Sequence, residues 1–179
     1  MLIGACTGVS RSNSRVVCDA GPIIHLDELG CLNLMRDFKI VIVPDVVRKE
    51  VLKHRKIVFE SSDINRTYSS SKYVLEEPYR TMCRVFALDA GEMAALEVLG
   101  REPDLILLTD DAAARLAVTN LGSRVHGTIG VLIRSIRRQL MKPSEVIEIL
   151  KSVPQVSSLH IRPGILQRVI SSVQDELNI

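Results

Sequence analysis

The chain contains no tryptophan, and its aromatic residues are three Tyr and three Phe. That leaves little for a broad base-stacking platform. Its four cysteines (Cys6, Cys18, Cys31 and Cys83) are scattered. They form neither a Cys-x-x-Cys pair nor a Cys/His cluster at zinc spacing, which argues against structural zinc. Cys18 falls in an expected core strand, where a free thiol behaves as a small hydrophobe. The cysteine pattern points to a reducing, cytoplasmic compartment. No apolar run approaches the length that spans a bilayer. The start, MLIGACTGVSRSNSR, lacks a basic leader and a proper hydrophobic region, so it does not read as a secretory signal. No Gly-x-x-x-x-Gly-Lys loop occurs, which argues against an NTPase. A large charge excess is missing as well. The formal net charge of +2 does not suit a protein that coats nucleic acid by charge alone, though it is compatible with a local basic patch.

What is present suits one soluble domain. The chain has 179 residues, 46% hydrophobic and 25% charged, enough to bury a core without covalent staples. Residues 1–14 read as a flexible leader, rich in Gly, Ser and Asn from Gly8 to Ser14. Strand and helix signals then alternate. Strands are predicted at Arg15–Cys18, Lys39–Val43, Asp104–Leu108 and Ser123–Val125. Helices are predicted at Pro22–Leu29 (restarting over Leu32–Met35), 44–52, 89–100 (stopped by Gly100), Asp111–Leu121 (stopped by Gly122) and Thr128–Leu140. Residues 55–80 read as a loop-rich insertion with one short extended piece at Tyr73–Leu75. Two further helices, Ser144–Val153 and Ile165–Leu177, occupy residues 143–179. The first carries the apolar stripe Val146, Ile149, Leu150 and Val153, so these helices pack on the domain or build a dimer interface. The alternation predicts an α/β fold, with a mostly parallel sheet, helices on both faces and right-handed crossovers.

Acids stand at the strand ends. VVC runs into Asp19, and LILL runs into Thr109-Asp110-Asp111. In a parallel sheet both ends share one edge, where open α/β sheets keep their sites. Glu50 lies about two turns into the helix after the second strand, and Glu92 lies in the first turns of its own helix. Each has a plainer role open to it. Asp19, Asp110 and Asp111 suit helix caps, and Asp111 suits an i,i+4 pair with Arg115. Glu92 suits the helix dipole, and Glu50 suits a solvated surface. Convergence, by contrast, is costly: two like charges about 4 Å apart repel by roughly 4 kcal/mol at an effective dielectric near 20. A cluster of carboxylates without His or Cys points to Mg²⁺ or Mn²⁺, since hard cations prefer oxygen ligands.

The order VVCDAGP, VPDVVRKEV, LDAGEMAAL and LLTDDAAARLAVTNLGSRVHGTIGVL resembles a PIN domain over roughly residues 15–140. The Gly127–Leu132 stretch is similar to a prokaryotic PIN group with Gly-Thr-x-Gly-Val-Leu at that place. The resemblance implies a PIN-like three-layer α/β/α sandwich over 15–142 and a Mg²⁺- or Mn²⁺-dependent nuclease, usually acting on RNA. Carried over by position, the first acid is Asp19, the second Glu50 and the third Glu92. The fourth is Asp111, with Asp110 as its rival and Thr109 as a supporting hydroxyl. Asp19 and Asp111 are expected to hold the metal, with Glu92 and Glu50 completing the pocket. Relatives are commonly homodimers. Toxins of the VapC type bind a small antitoxin protein near the acidic groove, and other relatives process ribosomal RNA.

Two basic stretches, RKEVLKHRK and RSIRRQLMK, are solvated helix faces or phosphate contacts. On the second reading Arg48, Lys49, Arg134, Arg137 and Arg138 touch RNA. Tyr68, Tyr73 and Tyr79 are candidate base contacts. His25, His54, His126 and His160 are dispersed and read as structural or surface residues. Two other readings compete with the nuclease. One is a catalytically inactive PIN-fold RNA-binding or scaffold protein, because fold does not imply function. The other is a phosphoacceptor receiver domain. That fold wants an acid pair after its first strand, whereas here the pair follows a later one.

Overall fold

The computed structural model describes residues 12–56, 58–60, 64–70 and 75–177. Most of the expected leader, together with Cys6 and Tyr73, lies outside them.

Val16, Val17 and Cys18 are fully buried in β1 (Arg15–Cys18), the central strand. Parallel strands covered on both faces read as continuous apolar runs, and this one does. β1 pairs with β2 (Ile40–Pro44) on one side and with β4 (Ile106–Leu108) on the other, Val17 standing opposite both Ile42 and Leu107. β3 (Arg66–Ser69) extends the sheet beyond β2, and β5 (Arg124–His126) extends it beyond β4. The order β3-β2-β1-β4-β5 is parallel throughout. Helices cover both faces. α1 (Ala20–Glu28), α2 (Asp45–His54), α6 (Thr128–Arg137), α7 (Pro143–Val156) and α8 (Pro163–Leu177) share one core with alternate strand residues such as Val16, Val41 and Val43. α3 (Tyr79–Val85), α4 (Ala90–Arg101) and α5 (Ala112–Asn120) share the other with Val17, Ile42 and Leu107. This is the α/β/α sandwich expected of a PIN-like chain. Strand order reverses between β1 and β4, so the crevice beyond their carboxyl ends is the topological switch point.

Three local expectations need correction. The described part of the insertion holds a strand at Arg66–Ser69 that the sequence does not announce; of the expected extended piece at Tyr73–Leu75, only Leu75 is among the described residues, and it lies outside any strand. The RTYS sequence lacks an apolar signature because an edge strand has one neighbour and keeps a solvated side. Gly100 does not stop α4, which continues to Arg101. The Tyr79 ring packs there, and a Cβ on Gly100 would stand 3.1 Å from its Cδ2. α6 ends at Arg137 rather than Leu140. Gly122 follows α5 with φ +72°, a left-handed turn that glycine adopts freely. Val146 and Leu150 of α7 and Leu166 and Val173 of α8 join the core that holds α1 and β1 residues. Among the described residues, no helix is long and apolar enough to cross a membrane.

Candidate active site

Asp19 leaves β1 at the switch point and is 8% exposed. It occupies the N-cap position of α1, yet its side chain makes no capping hydrogen bond there. It accepts instead from Thr109 Oγ1 at 3.0 Å. Thr109 is fully buried just past β4. Its backbone N–H donates to the His126 carbonyl at 2.9 Å, and its Oγ1 accepts from Asp111 N at 3.2 Å. One side chain thus links the ends of β1 and β4.

α2 and α4 bring the remaining acids. A Cβ added at Gly91 would stand 3.2 Å from Glu50 Oε2, 3.4 Å from Asp89 Oδ1 and 3.5 Å from Asp19 Oδ1. Carboxylates from three separate segments therefore crowd one point, and a glycine keeps it open. Asp89 and Glu92 form a reciprocal capping box at the start of α4: Glu92 N donates to Asp89 Oδ1 at 2.9 Å and Asp89 N donates to Glu92 Oε2 at 2.8 Å. Asp111 caps α5, accepting from Ala114 N at 2.8 Å.

Asp89 reads in the sequence as a cap alone. The structure makes it a cap and a member of the acidic cluster. Its signal was available: a cap on a helix that opens at the carboxyl edge of the sheet points its carboxylate at that edge.

Asp110 behaves differently from Asp111. It accepts from Thr128 N at 2.7 Å and Thr128 Oγ1 at 2.6 Å, and bonds His25 Nδ1 at 2.8 Å. It thereby ties α1, α6 and the end of β4 together on the opposite face. His25, expected to be structural, is part of that tie.

The electrostatics match the crowding. Burial pushes the Asp19 carboxyl up from 3.8 to about 6, against the pull of the Ala20 amide and the Thr109 hydroxyl, while Glu50 and Asp89 push it higher. Burial also raises Glu92, from 4.5 to about 7; the Asp89 amide opposes this, and Asp111, Asp89 and Asp19 reinforce it. Both carboxyls are uncomfortable as anions without a cation. Among the described residues, no three His, Cys, Asp or Glu side chains close around a metal position. The donor set nonetheless fits a hard divalent ion. It is all oxygen, its charge is uncompensated, and Mg²⁺ retains several waters rather than demanding a full protein cage.

The five basic residues expected to contact RNA divide into two groups. Arg48 and Lys49 are exposed on the early turns of α2, close to the acids. The Arg48 guanidinium lies 4.8 Å over the Tyr68 ring. Arg134, Arg137 and Arg138 sit where α6 has run back toward the other edge, roughly 9 to 15 Å along the axis from Thr128 at 1.5 Å per residue. Arg134 Nη2 and Arg138 Nε bind Asp37 at 2.8 and 3.2 Å. Of the candidate base contacts, Tyr68 is 40% exposed, whereas Tyr79 packs against the core of α4. Arg115 does not pair with Asp111; its Nη1 donates to the Thr109 carbonyl at 3.3 Å.

The chain is an α/β protein with a parallel sheet and carboxylates massed at its switch point. Residues 15–175 match the family model DUF3368, described as a PIN domain, and the chain belongs to that family. PIN domains are generally nucleases and typically use divalent metal ions, so a nucleic acid is the substrate the fold implies. No curated protein and no solved structure matches the chain.

Proposed function

We propose that the chain is a Mg²⁺- or Mn²⁺-dependent endoribonuclease that hydrolyses RNA phosphodiester bonds. The observation that carries this reading is the crowding of Asp19, Glu50 and Asp89 around Gly91 at the switch point. Glu92 and Asp111 flank that cluster through their electrostatic coupling. Asp19 is buried, buried charges are normally paired or bound to metal, and no ion pair reaches Asp19 or the four acids around it among the described residues. Asp19, Asp111 and Glu92 would hold the ion, with Glu50 and Asp89 acting on its waters. When bound, a divalent ion stabilises charge on a phosphate and lowers the pKa of water. Thr109 keeps one Asp19 oxygen turned by a hydrogen bond and shields it from solvent.

The preference for RNA comes from the family resemblance. The same resemblance extends the reading to a homodimer and to a toxin paired with a small antitoxin protein. Cys18, Cys31 and Cys83 are free and buried, in keeping with a reducing, cytoplasmic setting. The test is incubation of labelled single-stranded RNA with purified protein in Mn²⁺ or EDTA, beside an Asp19→Asn/Asp111→Asn variant. Cleavage that needs the metal and is lost in the variant is the expected result. Intact RNA in Mn²⁺, together with no heat of Mn²⁺ binding by calorimetry, would replace the enzyme with a scaffold.

A further inference from the structure

Arg115 is half-buried in α5, four residues after Asp111. Among the described residues its guanidinium makes one hydrogen bond, from Nη1 to the Thr109 carbonyl at 3.3 Å, and no carboxylate forms an ion pair with it. Next to it the chain carries Gly127; a Cβ at that position would stand 3.2 Å from Arg115 Nη1 and 2.4 Å from Asp110 Oδ1. The missing side chain lets Asp110 Oδ1, the Thr109 carbonyl and the Arg115 guanidinium all approach this point of the backbone. His126 ends β5 on the same edge, and its carbonyl receives the Thr109 N–H. Thr109 is therefore a junction. Its hydroxyl serves Asp19, and its carbonyl holds Arg115 on the β5 side of β4.

We propose that Arg115 binds the substrate phosphate next to the scissile one, with His126 lining that seat. The edge of the sheet then has two halves, acids beyond β1 and β4 and a cation beyond β4 and β5. An RNA strand crossing the edge meets both. A planar guanidinium anchored through one nitrogen leaves its remaining donors for a phosphate oxygen. The local potential agrees: after burial, the largest influences holding His126 below its ordinary value are Arg115, Arg134, Arg124 and Arg137. Arg115 is the first of these charges, which puts its guanidinium near His126. This inference rests on the nuclease reading above.

Arg115→Gln is the informative variant, because it removes the charge and keeps a polar side chain of good helix propensity. Arg115→Lys restores the charge. Binding of a fluorescent single-stranded RNA is read by anisotropy across a salt series in the Asp111→Asn background. Cleavage by each single variant is followed in Mn²⁺. Arg115→Gln is expected to weaken binding about tenfold and to raise KM more than it lowers kcat, with Lys recovering part of the loss. The slope of log affinity against log salt should shrink by about 0.7, the value for one single-strand phosphate contact. Unchanged affinity, slope and KM in Arg115→Gln would overturn the proposal while the nuclease stands, provided Asp19→Asn abolishes cleavage. If the parent protein neither binds nor cuts RNA, both readings fall together.

Discussion

Asp37 and Asp19 are buried to nearly the same degree, 6% and 8% exposed, at opposite edges of one sheet. Asp37 receives two arginines: Arg134 through Nη2 and Nε at 2.8 and 3.1 Å, and Arg138 through Nε at 3.2 Å. Phe38 lies under the Arg134 guanidinium at 5.0 Å. Asp19 receives a neutral hydroxyl and faces Glu50 and Asp89. The chain thus neutralises a buried carboxylate from within at one edge, whereas at the other, among the described residues, Asp19 has hydrogen bonds but no ion pair and faces further acids. Isolated buried charge is costly, so the second arrangement makes physical sense when the missing positive charge comes from outside. On the proposed function, the Asp37 edge serves stability and the Asp19 edge serves binding.

The largest expected effect falls on chemistry. Asp19→Asn should lower kcat for RNA cleavage by about 10³-fold, since metal-borne charge stabilisation is worth several kcal/mol and each 1.36 kcal/mol is tenfold. A single-turnover assay in Mn²⁺ reads this directly. Near-normal cleavage would remove Asp19 from the site. At the other edge, Asp37→Ala should leave cleavage within a few-fold and destabilise the fold by about 2 to 3 kcal/mol in urea. Breaking a buried pair costs about 3 to 5 kcal/mol, and the two arginines, 27% and 30% exposed, recover part of that through solvent. A silent Asp37→Ala would collapse the comparison.

The sequence showed the acid edge more clearly than the Asp37 edge. VVC and LILL are short, wholly apolar runs, so they read as buried parallel strands, and the residue after each had to lie on one edge. Glu50 and Glu92 follow from helix starts at that same edge. Asp89 was concealed by its own capping role, which accounts for the residue without a second function. β3 went unread because RTYS on an outer strand carries little of the periodic signal that core strands do. The Asp37 cluster was hidden for another reason. Its partners lie 97 and 101 residues away, and no local pattern reports that Arg134 and Arg138 face inward rather than toward a phosphate. Asp110 and Asp111 stayed ambiguous because adjacent residues on an extended segment point to opposite faces, and the sequence does not say which face holds the site.

The two edges should also differ in their response to pH. Folding raises the Asp19 pKa from 3.8 to about 6. The folded state therefore holds that proton more tightly than the unfolded chain. Its contribution to stability is fully present below pH 3.8 and is lost as pH rises through about 6. Above that window the ionised group costs about 3 kcal/mol, at 1.36 kcal/mol per unit. Glu92 acts in the same direction, with its loss extending to about pH 7. In EDTA, Asp19→Asn should therefore melt above the parent at pH 8, by up to about 3 kcal/mol, and the gain should vanish near pH 4. Mg²⁺ should stabilise the parent by about 2.7 kcal/mol at one hundred times its Kd. That effect should be larger at pH 8 than at pH 5, where protons compete for the same oxygens. Thermal melts at the two pH values, with and without Mg²⁺, test this. A parent protein whose melting point ignores Mg²⁺ at pH 8 would show that its acids do not await a cation.

The smallest effect separates two neighbours. Asp110 is hydrogen-bonded to His25 and to both the N–H and hydroxyl of Thr128, so Asp110→Asn mismatches at least one acceptor. The cost should be about 1 to 2 kcal/mol in urea, with cleavage changed only a few-fold. Asp111 caps α5 through Ala114 N, and Asn caps a helix about as well as Asp. Asp111→Asn should therefore alter stability by less than about 1 kcal/mol and yet lose most cleavage. The two variants differ by a single position in the chain, and the expected outcomes are crossed: one weakens the fold and keeps the chemistry, the other keeps the fold and loses the chemistry. Measuring unfolding midpoints and cleavage rates on both decides which side of β4 faces the reacting phosphate. The reverse pattern would move the site to the α1–α6 face and make the Asp110–His25–Thr128 tie its centre.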